Sequence, residues 1–98
     1  MKFAVIFEDD PEADPTLRAQ GMEAHLAFLE ASGAVEAAGP LPAAGEAGPG
    51  GLWIVEAEDA AAVERLVRED PFWTAGLRRS HAVRPWRQVF AGGRRVGA

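Results

Sequence analysis

The sequence predicts an α+β sandwich, a four-stranded antiparallel sheet with two helices on one of its faces. Three observations lead there. Short runs rich in β-branched and aromatic residues alternate with two helical stretches in the order strand, helix, strand, strand, helix, strand. Aspartate stands at the start of both helical stretches and of a short turn after the second, and in two of these three places proline follows directly. The chain has 98 residues and no cysteine. That allows one thin core, without disulfides, thiol catalysis, zinc fingers or iron–sulfur clusters.

Residues 2–8, KFAVIFE, read as the first strand, and the acidic run from Asp9 to Glu12 as a turn. Asp14-Pro15 marks a helix start, so a helix is expected over 15–32, with Gly33 ending it. Residues 34–40 give a second, weaker strand, and 41–50, rich in proline, glycine and alanine, a mobile loop. Residues 51–58 form the third strand. Asp59 caps a second helix over 60–69, with Val63, Leu66 and Val67 inward. Asp70-Pro71 repeats the device and starts a short turn ending near Gly76. The fourth strand lies within 78–90, and Pro85 suits an edge position. The domain thus covers 1–90, and 91–98 is expected to be a flexible, frayed Gly/Arg tail.

Two split βαβ halves in this order make a ferredoxin-like βαββαβ sandwich with the first and third strands central. Both central strands are apolar on both sides: Phe3, Val5 and Phe7 oppose Ala4 and Ile6, and Trp53 and Val55 oppose Leu52 and Ile54. Two helices cover only one face. A homodimer packed sheet to sheet is therefore expected.

Apolar residues make up 48% and charged residues 26%, which excludes a disordered chain or a coiled coil. The longest apolar run, Phe3 to Phe7, is too short to span a bilayer, and the start of the chain shows no secretory signal. The expectation is a cytoplasmic protein without a membrane partner. The net charge is −5, distributed unevenly: fifteen acids and four bases precede residue 71, while six arginines and no acid follow. A basic end suits nucleic acid. The simpler reading sets it beside acidic surface of the same chain or a partner, because the negative total repels phosphate. No nucleic-acid partner is expected.

One pair of residues does not suit its surroundings. On a helical wheel, Leu17, Gly21, Met22, Ala24, Leu26, Phe28 and Leu29 form the apolar stripe of the first helix. Arg18 and His25 fall in its middle, about 10 Å apart along the axis. Buried unpaired, they cost several kcal/mol, so they need partners or a wet pocket. Each has a plain explanation: a core histidine bonded to a carbonyl, and an arginine snorkelling at the helix start. Asp70 likewise suits a simple helix cap. Its second oxygen is nevertheless free to reach His25 Nδ1 and fix the tautomer, which makes a general acid–base dyad. His81 reads as a surface strand residue, and Trp73 and Trp86 as core or pocket wall. No metal site is expected, because no ligand spacing supports one.

At these residues the sequence resembles the YciI-like (YCII-related) proteins. The resemblance rests on Arg18 with His25, Ala38-Gly39-Pro40, Asp70-Pro71-Phe72 with Gly76, and Pro85-Trp86 before Val89-Phe90, spanning about residues 1–90. It implies a ferredoxin-like fold dimerised into a dimeric α+β barrel. It further implies an active site centred on His25 and Asp70, with Arg18, Gly39 and Pro40 lining the substrate pocket. One branch of the family is similar to enzymes that dehydrochlorinate a chlorinated hydroxyhydroquinone. The dimeric barrel is shared with muconolactone isomerases and cofactor-free monooxygenases. The expected function is a cofactor-free enzyme that uses a His/Asp dyad for elimination or isomerisation on a small aromatic or lactone-like molecule. In this reading the 41–50 loop is a lid. The alternative is a non-catalytic small-molecule-binding or dimer-interaction module.

Overall fold

A computed structural model describes residues 1–97. Its order is β1 (Lys2–Asp9), α1 (Leu17–Ser32), β2 (Val35–Leu41), β3 (Gly50–Glu56), α2 (Ala60–Glu69), α3 (Pro71–Thr74), β4 (Arg78–Pro85), β5 (Phe90–Ala91) and β6 (Arg94–Arg95). The main sheet is antiparallel in the order β2-β3-β1-β4, which is the ferredoxin-like arrangement. Pro85 and Pro40 both sit on edge strands, where a missing N–H does least harm.

Strand alternation sorts the core. Phe3, Val5 and Phe7 of β1, with Trp53 and Val55 of β3, are buried under Leu29 of α1 and Val63 and Val67 of α2. Each such side chain stabilises by roughly 1.5–3 kcal/mol. Phe7 meets Trp53 edge to face at 4.9 Å between ring centres. On the other face Ile6 is 44% exposed, and its neighbours Ala4, Leu52 and Ile54 are half-buried. Trp73 packs against the core, whereas Trp86 is exposed.

The first three strands match expectation to within two residues at each end, the fourth lies inside its expected span, and two further differences have a visible cause. The first helix begins at Leu17, not Pro15. Asp14 Oδ1 instead accepts from the N–H and the hydroxyl of Thr16, which holds 14–16 in a turn and draws the Asp14 carboxyl below its ordinary pKa. Residues 91–95 of the stretch expected to fray join Phe90 in a short hairpin. Gly92 and Gly93 have φ of 59° and 75°, the successive positive values of a tight hairpin turn. Ala98, the end of the expected tail, lies outside the described residues.

The close approach of β1 and β3 needs a glycine at its entrance. A Cβ on Gly50 would stand 1.8 Å from the Phe7 carbonyl oxygen, a backbone atom fixed within the sheet. Gly50→Ala should therefore cost at least about 1–3 kcal/mol. Urea denaturation reads the loss directly, and an unchanged midpoint would show that the strands have slack there.

Candidate functional site

The hydrophobic layer between helices and sheet is interrupted at one end by charged groups. The inward line of α1 runs through His25 and Leu29, which are buried, with Gly21, Met22 and Phe28 partly so. Ala24 and Leu26, expected in the stripe, are exposed. The stripe is thus narrower than the wheel suggested, and His25 lies at its centre. Seven residues earlier on the same helix, Arg18 is partly buried.

Asp70 does several things at once. It ends α2, its backbone N–H reaching Val67, and it caps α3, its Oδ1 accepting from the Phe72 N–H at 3.2 Å. The same Oδ1 lies 2.7 Å from His25 Nδ1. The sequence had suggested the second oxygen for this contact; instead Oδ1 takes both, and the buried Oδ2 has no hydrogen-bond partner among the described residues. A carboxylate only accepts, so Nδ1 carries a hydrogen, and in the neutral ring the lone pair is then on Nε2. Phe72 stacks on the imidazole at 4.1 Å and 18° between planes. The ring is therefore fixed by a hydrogen bond along its edge and an aromatic face beneath.

A second charged cluster adjoins it. Asp9 is the next inward position after Phe3, Val5 and Phe7, and its side chain is 7% exposed. Its Oδ2 accepts from Arg18 at 2.5 Å and its Oδ1 from Arg78 at 2.8 Å. A register shift between Glu8 and Asp9 sets Arg78 opposite Asp9. Arg78 is buried, which pulls its pKa below the ordinary arginine value. The Asp9 hydrogen bond and charge oppose this shift, while the like charge of Arg18 adds to it. Sequence reading placed Asp9 in a turn and Arg78 in a general basic end, so both were missed. The alternation of β1, carried one pair further, is the signal that marks Asp9.

These groups border a cavity of about 100 Å³. Its wall is built by Arg18, Met22, His25, Leu26 and Leu29 from α1, Ala38, Gly39 and Pro40 from β2, Trp53 from β3 and Arg78 from β4. Four of the five residues singled out in the sequence, Arg18, His25, Gly39 and Pro40, therefore share one hollow. Asp70 stands behind His25 and does not line it. No hydrogen bond among the described residues engages His25 Nε2. The loop read as a lid does not border this cavity. Pro42 and residues 46–50 line a separate one with Ile6, Glu8 and Arg79. The chain doubles back at Ala44 and Ala47, and Pro49 accepts from the Asp9 N–H, which ties the loop to the end of β1. His81, expected on the surface, is largely covered, with Nε2 2.7 Å from Glu64 Oε2 and its ring edge-on to Trp73. Among the described residues no group of three or more histidine, cysteine or acidic side chains is placed to hold a metal ion.

Removing Asp9 leaves a buried guanidinium without its partner. Asp9→Leu should destabilise the fold by about 3–5 kcal/mol. The double variant Asp9→Leu/Arg78→Met should lose markedly less than the two single losses added together. Chemical denaturation of the four proteins closes this cycle, and strict additivity would mean that the pair does not act as a unit.

A family model described as the YCII-related domain matches residues 1–87. No curated protein matches the sequence. Among solved structures, the chain is similar to 5-chloro-2-hydroxyhydroquinone dehydrochlorinase from Burkholderia phenoliruptrix, in complex with 2,5-dihydroxybenzoquinone. The two are 33% identical, with 89% of this chain and 94% of that chain covered and a TM-score of 0.73. On both the family match and this similarity, the chain belongs to the YCII-related family.

Proposed function

We propose that the protein is a cofactor-free enzyme that carries out general acid–base elimination on a small hydroxylated aromatic molecule. The observation that carries the proposal is the buried His25–Asp70 pair, whose imidazole borders a cavity and is held by Asp70 on one nitrogen only. The similarity to an aromatic dehydrochlorinase supports the substrate class and the reaction type.

In this reading His25 Nε2 accepts a proton from a phenolic oxygen of the substrate. The imidazolium that forms is stabilised by Asp70 through Nδ1. The proton returns to the ring carbon that bears the leaving group, which becomes tetrahedral as the phenol becomes a ketone. A second deprotonation then expels the leaving group as an anion and leaves a quinone. The sum is loss of one acid molecule, with no oxidant or reductant consumed. Arg18 and the backbone at Gly39, both on the cavity wall, hold the oxygen that bears negative charge on the way, and Pro40 shapes the pocket beside it.

Turnover of halogenated hydroxyhydroquinones by purified variants tests the assignment. His25→Ala should lose about 10²–10⁴ in kcat/KM, with Asp70→Asn also impaired. Wild-type rates in both variants would remove the dyad. Ligand binding without any conversion by the wild type would point instead to a non-catalytic binding module.

We propose in addition that a second copy of the chain covers the outer sheet face. The exposed Ile6 and Leu41, with Leu52 and Ile54 beside them, form one apolar surface opposite the helices. Such a surface suits a self-complementary interface. Light scattering should give the mass of two chains for the wild type and of one chain for Ile54→Arg. A wild type that runs as a single chain at micromolar concentration would refute the pairing.

A further inference from the structure

The wall of the cavity carries more positive charge than the proposed dyad requires. Arg18 and Arg78 share one carboxylate, Asp9, and both line the cavity; Asp9 and Asp70 stand behind the wall. Arg78 is held rigidly. Its guanidinium carbon lies 4.4 Å from the Phe7 ring centre and 5.3 Å from that of Phe72. Gly51 makes room for it, since a Cβ there would stand 3.2 and 3.3 Å from its two terminal nitrogens. Its side chain is 2% exposed, and its buried Nε has no hydrogen-bond partner among the described residues. Arg18 also lies over the Phe72 ring, 5.6 Å from the ring centre. A ligand in this hollow therefore meets two guanidinium groups and one imidazole, with both acids on the far side.

We propose that Arg78 is a ligand-binding and specificity residue, and that the cavity selects a small planar molecule already carrying an ionised oxygen. The inference rests on the reading of this cavity as the reaction site and names the charge state of what enters it. An anion placed there offsets two costs that the wall bears, the burial of Arg78 and its repulsion from Arg18. A planar guanidinium fork also matches a flat oxyanion better than an ammonium does. A neutral phenol or lactone of the same shape gains neither advantage.

Isothermal titration calorimetry on the full chain tests this with two probes of similar shape. One is 2-hydroxy-1,4-benzoquinone, an anion at neutral pH; the other is its uncharged methyl ether. The wild type should bind the anion at least about tenfold more tightly, about 1.4 kcal/mol, and the preference should shrink as salt is raised. Arg78→Met, which removes one guanidinium and leaves Asp9 paired with Arg18, should lose that preference and keep its affinity for the ether. Equal affinity of the wild type for both probes, binding of neither, or a preference that salt does not change overturns the proposal without recourse to any variant. Equal loss of both probes in an Arg78→Met variant that still unfolds cooperatively overturns it as well. His25→Ala separates the two readings: retained anion preference with retained turnover sinks the dyad alone, and lost preference with lost turnover sinks the assignment of the charge to Arg78.

Discussion

The contact between His25 Nδ1 and Asp70 Oδ1 joins the long first helix to the hinge between α2 and α3. An imidazole in a protein interior needs a partner for its N–H, and a buried carboxylate needs donors. Here each supplies the other's need across 45 residues of chain. Because the same oxygen also caps α3, the turn that carries Phe72 cannot form without presenting an acceptor to His25. Phe72 then closes over the ring. One hydrogen-bonded oxygen thus sets the ring's orientation, its tautomer and the aromatic surface it rests on.

A similar logic holds one strand away. Arg78 is a full charge in the core, and Asp9 is what makes its burial tolerable. The chain's lopsided charge is resolved here only in small part. Of the six arginines after residue 70, Arg78 alone forms an ion pair among the described residues. Of the remaining residues at the basic end, His81 is matched to Glu64. The idea that this end lies against acidic parts of the same chain therefore applies to the start of β4, where it borders β1, and not to the hairpin with Arg94 and Arg95.

Much of the fold was legible in the sequence, for reasons that are local. Residues 60–69 are bounded by an aspartate cap and an Asp-Pro stop, and the helix occupies that span. The alternation of β1 and β3 separated core from outer face because successive strand side chains point to opposite sides, and Phe3, Val5, Phe7, Trp53 and Val55 all fall on the side under the helices. The site was legible where its chemistry clashed with its setting, as at His25 in an apolar stripe. It was not legible where polar residues looked ordinary. Asp9 reads as the first of a run of turn-forming acids, and Arg78 as one of six arginines; only the β1–β4 register, with its shift beside Asp9, brings them together. The start of α1 was obscured because Asp14 and Pro15, a standard opening for a helix, are used by Thr16 to form a turn instead. Two glycines in succession look like loss of order, yet they also suit a tight reversal, and residues 90–95 use them so.

The third strand enters the sheet on two glycines that are confined for different reasons. Gly50 sits against the backbone of its neighbour, and Gly51 sits under the tips of Arg78. Neither position accepts a side chain without moving something the site depends on. Neither glycine lines the cavity, but Gly51 backs Arg78, which does; the parts of the wall that vary without disturbing Arg78 are Met22 and Leu26 on the helix and 38–40 on the edge strand. The edge is the cheaper place to experiment, because a strand paired on only one side shifts with the fewest consequences for the rest of the sheet.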